Sequence, residues 1–125
     1  MLEDSIVRFF EQGRPMRLVE SSYETFFVDI FDSYGIPVEL TGATARFHLK
    51  EFSTRDHIWT KVCTIVDNPN PKYPGATYPF TVRVDLTSTD TRGLEGHYMA
   101  QLEIIDYRGE SKIGFQVEII VVERS

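Results

Sequence analysis

Apolar and polar residues alternate with a period of two along most of this chain, and this pattern limits the fold more than any other feature. Residues 43–50 show it most clearly, with apolar side chains at every odd position and polar ones at every even position. Successive side chains of a β-strand point to opposite faces of a sheet, so this spacing is typical of a strand with one buried face. Helical spacing is almost absent.

The same alternation predicts further strands, separated by residues that favour turns. The predicted strands cover residues 25–32, 57–67, 79–86, 98–105 and 112–123, with short edge strands expected at residues 6–10 and 15–18. Residues 106–109 read as a hairpin turn and residues 87–96 as a polar crossover. This pattern predicts an all-β fold, an immunoglobulin-like antiparallel β-sandwich of about seven strands.

The length of 125 residues is enough for one hydrophobic core. We therefore assign residues 15–125 to the sandwich. Residues 1–14 are expected to form an N-terminal arm or edge strand that pairs with its own domain or with a neighbour. Phe9 and Phe10 make this segment too apolar for a free tail.

Charge and hydropathy exclude several partners. The net charge of -6 repels phosphate backbones, so we expect no nucleic acid partner. No apolar run approaches the roughly 20 residues that a membrane helix needs, and the start lacks the layout of a signal peptide. We expect no membrane partner and a cytoplasmic site of assembly. The lone Cys63 reads as a small apolar strand residue.

Tyr98 follows the crossover and begins an alternating strand. In immunoglobulin-like sandwiches a tyrosine in this place often donates a hydrogen bond back to the crossing backbone, which fixes the corner between the sheets. Tyr98 is therefore a candidate structural corner. The alternative of equal weight is an ordinary amphipathic strand aromatic.

Three segments carry a familiar string of residues: LTGATARFHL at 40–49, VDLTSTDT at 84–91 and GHYMAQLEI at 96–104. Together they resemble the immunoglobulin-like N-terminal domain of phage baseplate upper proteins and related tail-fibre attachment domains. The resemblance spans about residues 29–122. It implies a structural protein located in the virion and assembled in the host cytoplasm, which connects other virion structural proteins at the tail, baseplate, neck or head.

Members of that family usually continue into a stalk or a receptor-binding region, whereas this sequence ends at Ser125, directly after its last predicted strand. The expectation is therefore a stand-alone adaptor or decoration subunit, present as a homo-oligomer within a symmetric assembly.

The aromatic residues exceed what the predicted inner faces can hold, and aromatic side chains are enriched at protein interfaces. The Pro-rich loop at residues 68–78 and the N-terminal segment are further candidate contact surfaces. The candidate interface residues are Phe9, Phe10, Phe31, Trp59, Pro71, Tyr73 and Tyr107. The alternative is that sheet curvature or the N-terminal segment covers these aromatics.

No catalytic residue, cofactor site or metal site is predicted. His48, His57 and His97 are too far apart in sequence for a local metal motif. Two rival functions remain as hypotheses. One is a carbohydrate-binding β-sandwich that assists adsorption to a host surface and stacks sugar on Trp59 with Tyr73 or Tyr78. The other is a hydrolase that uses Asp56 and His57.

Overall fold

A computed structural model describes residues 5–7, 16–32, 34–67 and 77–123, with the backbone alone at residues 5–7 and 112–115. This part of the chain holds eight β-strands and no helix, which confirms the all-β prediction. The strands are β1 (Ser5–Val7), β2 (Met16–Val19), β3 (Glu24–Asp32), β4 (Thr44–Glu51), β5 (His57–Val66), β6 (Thr81–Leu86), β7 (Gly96–Ile105) and β8 (Ser111–Val122).

The strands form two sheets that share β5. Up to Cys63 this strand pairs with β4, and from Thr64 onwards it pairs with β6. The first sheet continues from β6 to β3 and β1, and the second from β4 to β7, β8 and β2. The N-terminal strands bridge the sheets as well, because β1 pairs with β3 whereas β2 pairs with β8. The sandwich is therefore linked on both sides by chain that passes between sheets.

One strand pair departs from the expected antiparallel arrangement. Strand β2 runs parallel to β8, with Met16 opposite Ile119 and Val19 opposite Val122. Parallel strands cannot be joined by a tight hairpin, and none is needed here because β2 and β8 are far apart in sequence. Its position at the edge agrees with the expected edge strand that follows Pro15.

The core lies between the sheets and contains the residues that the alternation placed inward. The ring of Phe26 on β3 meets the ring of Phe47 on β4 edge to face, with centroids 5.6 Å apart and planes at 70°. Such aromatic pairs add about 0.5–1.5 kcal/mol to the gain from burial. The fully buried residues around them include Val28, Ile30, Leu40, Leu49, Val82, Val84, Leu102, Ile104 and Ile119.

Phe31 is buried, although we expected it among the residues that contact a partner. It was a candidate contact residue on the outer face of its strand, but only 4% of it is exposed. Its ring packs against Phe80 at a centroid distance of 6.0 Å, close to the bridge that its backbone forms with Pro37. The alternation does not show where the following chain turns back beside a strand. Phe31 is a core residue, not a surface one.

The crossover between β6 and β7 is fastened to β5 through Asp90. Its backbone carbonyl accepts the indole N–H of Trp59 at 2.8 Å. Its carboxylate pairs with the Lys61 ammonium and accepts the backbone N–H of Thr87 at 2.6 Å. These contacts hold Trp59 half-buried beside Phe47. Trp59 therefore has a structural role through this hydrogen bond, and its place among the candidate contacts stays a prediction.

The hydrogen bond expected of a tyrosine corner is present at Tyr98. The Tyr98 hydroxyl donates to the backbone carbonyl of Glu95 at 3.1 Å. The side chain is buried, with 6% exposed, and lies among the core residues. The bond joins the end of the crossover to the beginning of β7.

We expect Tyr98→Phe to lower the free energy of unfolding by about 0.5–1.5 kcal/mol, because the ring stays buried while one hydrogen bond is lost. Urea denaturation followed by circular dichroism measures the change. Tyr107→Phe is the matched control, since Tyr107 is 76% exposed. Equal stability of wild type and Tyr98→Phe would show that the corner bond contributes nothing.

Asp90 generates a prediction about pH. Burial raises the pKa of its carboxyl, but the Lys61 ammonium and the N–H of Thr87 outweigh this and hold the pKa below its ordinary value. A lowered pKa in the folded state means that the unfolded chain binds the proton more readily. The stabilisation is therefore present above the unfolded pKa of about 3.9 and is lost as the pH falls through the folded value.

We expect Asp90→Asn to lower the free energy of unfolding at pH 7 by about 1–3 kcal/mol, since it weakens a hydrogen-bonded charge. The difference between wild type and variant should shrink as the pH falls below about 4. Urea denaturation from pH 7 to pH 3 measures both effects. The other carboxyls are common to both proteins, so a difference that stays constant with pH would contradict the role of Asp90.

Candidate interaction site at the loop end

A cavity of about 330 Å³ opens at one end of the sandwich, which we call the loop end. Its first wall is the connection from β3 to β4, and its second wall is the hairpin from β7 to β8. Its charged lining comes from three acidic residues, Asp32, Glu39 and Asp106, together with Arg108. Tyr107 lies at the rim. Loops at this end of an immunoglobulin-like sandwich join strands of both sheets, so they can present side chains to a partner.

Asp32 fixes the first wall of the cavity. Its carboxylate accepts the backbone N–H of Tyr34 at 2.9 Å and that of Ile36 at 3.0 Å. Its backbone N–H donates to the Ile36 carbonyl at 2.9 Å. Aspartate favours turns because its side chain can replace a backbone acceptor in this way. The connection is therefore held by Asp32, the last residue of β3.

Asp106 fixes the second wall in the same manner. Its carboxylate accepts the backbone N–H of Arg108 and that of Glu110, each at 2.9 Å. Partial burial raises the pKa of Asp106, but these N–H groups and the Arg108 guanidinium hold it below its ordinary value. The hairpin keeps an ionised carboxylate at its base, so little of that charge is left for a ligand.

The exposed side chains of the two walls are large. Tyr34 is 85% exposed and Ile36 55% exposed in the connection from β3 to β4, and Tyr107 is 76% exposed in the hairpin from β7 to β8. Of these three, Tyr107 lines the cavity. The Arg108 guanidinium lies 5.7 Å from the centroid of the Tyr107 ring. Tyrosine and arginine are the residue types that contribute most at protein interfaces. The arrangement offers aromatic and cationic groups on a backbone that is already ordered.

Of the candidate contact residues, the structure places Tyr107 at this end and buries Phe31, while Trp59 is half-buried near the other end. The others, Phe9, Phe10, Pro71 and Tyr73, lie outside the described residues. Sequence reasoning missed Tyr34 and Ile36. Ser33 and Gly35 are residue types that favour turns, so the sequence indicates a loop around Tyr34 and Ile36 and could have shown that these side chains are exposed.

The stacking platform expected for sugar does not form from Trp59 and Tyr78. The Tyr78 hydroxyl donates to the Pro37 carbonyl at 2.7 Å, at the loop end. Trp59 is fastened to the crossover at the other end through Asp90. The two rings therefore cannot contact one ligand side by side, and Tyr73 lies outside the described residues.

Cys63, His57 and Asp56 are the side chains to consider for chemistry among the described residues. Burial raises the pKa of the Cys63 thiol to about 11, so the thiol is neutral at physiological pH. His57 Nε2 hydrogen-bonds Thr60 Oγ1 at 2.7 Å, while the backbone N–H of the neighbouring Asp56 donates to Thr54. In the described part of the chain, no group of three or more His, Cys, Asp or Glu residues is placed to hold a metal ion.

The described residues also contain no helix with the length and apolarity needed to cross a bilayer.

Comparison with known proteins gives the class of fold. No family model and no curated protein matches the chain. Among solved structures, CopC from Methylosinus trichosporium OB3b has a TM-score of 0.52 at 11% identity, over 97% of this chain and 96% of that one. The Lin-41 filamin domain has a TM-score of 0.47 at 13% identity, over 95% and 92%. Fibronectin(III)-like modules of Clostridium thermocellum CbhA have a TM-score of 0.43 at 10% identity, over 97% and 99%.

At these identities the likeness concerns the fold alone. The strand order defines the class independently: β1, β3, β6 and β5 follow one another in the first sheet, and β4, β7 and β8 in the second. This is the order of an immunoglobulin-like sandwich. The chain is an immunoglobulin-like β-sandwich, as the alternation predicted.

Gly42 supports the rim of the cavity and generates a prediction. Its φ of +77° is in the left-handed region, and a Cβ at this position would lie 3.3 Å from the Cβ of Tyr107. We expect Gly42→Ala to lower the free energy of unfolding by at least about 1–2 kcal/mol, the cost of the left-handed conformation. The close contact adds to that cost. Thermal or urea denaturation measures the loss.

Gly93→Ala is the matched control, because Gly93 has a φ of +78° and nothing within 4 Å of its added Cβ. It carries the same conformational cost without the contact. Equal losses in the two variants would show that Tyr107 does not press on Gly42.

Proposed function

We propose that this chain is a non-enzymatic virion structural protein, an adaptor or decoration subunit that binds another virion protein through the loop end. Two observations support the proposal. The strings at residues 40–49, 84–91 and 96–104 resemble the attachment domains of phage baseplate upper proteins. The loop end exposes aromatic residues on a preordered backbone.

The exposure of Tyr34 and Tyr107 is the observation that carries the proposal. They lie on the two loops that enclose one cavity, the connection from β3 to β4 and the hairpin from β7 to β8. Binding orders side chains and loops, and this ordering opposes association. Here the carboxylates of Asp32 and Asp106 have already fixed both turns. A partner that binds across the two loops would gain contact area with little loss of backbone entropy.

Charge around the site favours a basic partner surface. Glu39 lines the cavity, and Glu110 closes the hairpin beside Arg108. The chain as a whole carries a net charge of -6. Complementary charge increases the rate of association and selects between partners more than it increases affinity.

The N-terminal segment has a smaller part in the proposed contact. The described strand β1 pairs with β3 of the same chain, with Ser5 opposite Asp32 and Val7 opposite Ile30. That segment therefore contributes to its own fold at residues 5–7. We assign the contact with a partner to the loop end, with several copies of the chain arranged symmetrically around the particle.

The proposal is tested with particles from a host in which the resident copy of the gene is deleted and the chain is supplied in trans. We expect the wild-type chain to copurify with the particles and an antibody against it to label one structure by immunogold microscopy. Combined Tyr34→Ala and Tyr107→Ala should reduce incorporation at least about tenfold, since a few aromatic residues dominate interface energies.

Tyr23→Ala is the matched control, because Tyr23 is 76% exposed but lies at the opposite end, in the connection between β2 and β3. It should be incorporated like wild type. Particles that lack the wild-type chain would overturn the virion role. Normal incorporation of the double variant would overturn the loop end as the docking surface.

A further inference from the structure

A chain of hydrogen bonds crosses the outer face of the second sheet, from β5 to β8. His57 Nε2 and His48 Nδ1 each lie 2.7 Å from Thr60 Oγ1. The other ring nitrogen of His48, Nε2, lies 2.9 Å from Glu103 Oε1. The second oxygen of Glu103 accepts a hydrogen bond from the Ser111 hydroxyl. Both imidazoles therefore face the Thr60 hydroxyl, and the Glu103 carboxylate binds His48 at its other ring nitrogen.

A β-bulge brings His57 into this group. Residues 57 and 60 of a regular strand would point to opposite faces of the sheet. In β5 the register shifts, so that Lys50 pairs with His57 while Leu49 pairs with Trp59. The extra residue, Ile58, packs against the core together with its neighbour Trp59. His57 is thereby turned to the outer face, where its ring centroid lies 6.3 Å from that of His48. Bulges often re-aim a side chain at functional positions.

The hydrogen bonds assign the protonation of His48. Glu103 accepts the Ser111 hydroxyl through one carboxylate oxygen, and its other oxygen is the acceptor that faces His48. The Nε2 of His48 must therefore carry the proton. In the neutral imidazole this leaves a lone pair on Nδ1, which points at Thr60. A histidine that donates its distal N–H to a carboxylate has the arrangement found in most histidine ligands of metal ions.

We propose that His48 Nδ1 and His57 Nε2 bind one divalent transition-metal cation of the class that prefers imidazole, such as Zn²⁺, with Glu103 orienting His48. Zn²⁺ lies about 2.0–2.1 Å from a histidine nitrogen. The two nitrogens share one neighbour at 2.7 Å, the Thr60 hydroxyl, so a cation that displaces this hydroxyl would meet both of them. Water fills the remaining positions, because the chain supplies two ligands rather than three. The inference is independent of the proposed virion role.

The test is a calorimetric titration of the full chain, prepared without a polyhistidine tag, with Zn²⁺ alone. One equivalent should bind. His48→Gln and His57→Gln should each weaken binding at least about tenfold, and Glu103→Gln about 10–100-fold, as expected when the partner of a metal-binding histidine is removed. His97→Gln is the matched control: this third histidine is 61% exposed and pairs with Glu118 on β8. It should bind like wild type.

A measurement on the wild-type protein tests the site even if a variant fails to fold. In nitrogen NMR spectra of the imidazoles, Zn²⁺ should shift Nδ1 of His48 and Nε2 of His57 and leave His97 unchanged. Before the metal is added, His48 should be protonated at Nε2. Absence of Zn²⁺ binding, or binding that is undiminished in His48→Gln and His57→Gln, would overturn the site. Shifts at His97 alone would do the same.

Discussion

The contact between Phe26 and Phe47 joins the two sheets, and the remainder of the fold depends on keeping those sheets at the distance that this contact sets. With no disulfide available to a chain that has one cysteine, packing and strand pairing must supply the stability. Strand β5 passes between the sheets on one side, and the strands β1 and β2 bridge them on the other. The chain thereby limits how far the sheets can separate around the aromatic pair.

The two ends of the sandwich are built differently. At the crossover end, the side chain of Thr91 accepts the N–H of Ser21, Glu20 accepts the N–H of Gly93, and Asp90 fastens β5. These bonds connect distant parts of the chain. At the loop end, the carboxylates of Asp32 and Asp106 accept N–H groups of their own turns, and the large side chains beyond them face solvent. Long-range bonds exist there too, such as that from Tyr78 to Pro37, but they leave Tyr34 and Tyr107 exposed.

Sequence reasoning predicted the strands well because alternation reports directly on which face of a strand is buried. The inner faces of β4 and β7 agree with it residue by residue, from Ala45 to Leu49 and from Tyr98 to Ile104. It was wrong about Phe31, since alternation says nothing of what covers an outer face. It also could not show the bulge at Ile58, because one extra residue in a strand leaves the surrounding pattern almost unchanged.

The candidate site was the hardest part to predict, for a physical reason. Tyr34 and Tyr107 are 73 positions apart in sequence, and only the return of β7 into β8 beside the connection from β3 to β4 brings their loops around one cavity. The same holds for His48 and His57, which share a face only because a bulge changes the phase of β5. In both places the residue types are common ones, and it is the local backbone, a fixed turn or a bulge, that brings them together. The fixed turns and the bulge are determined within the sandwich before any ligand arrives, so a binding partner would meet side chains whose backbone is already ordered.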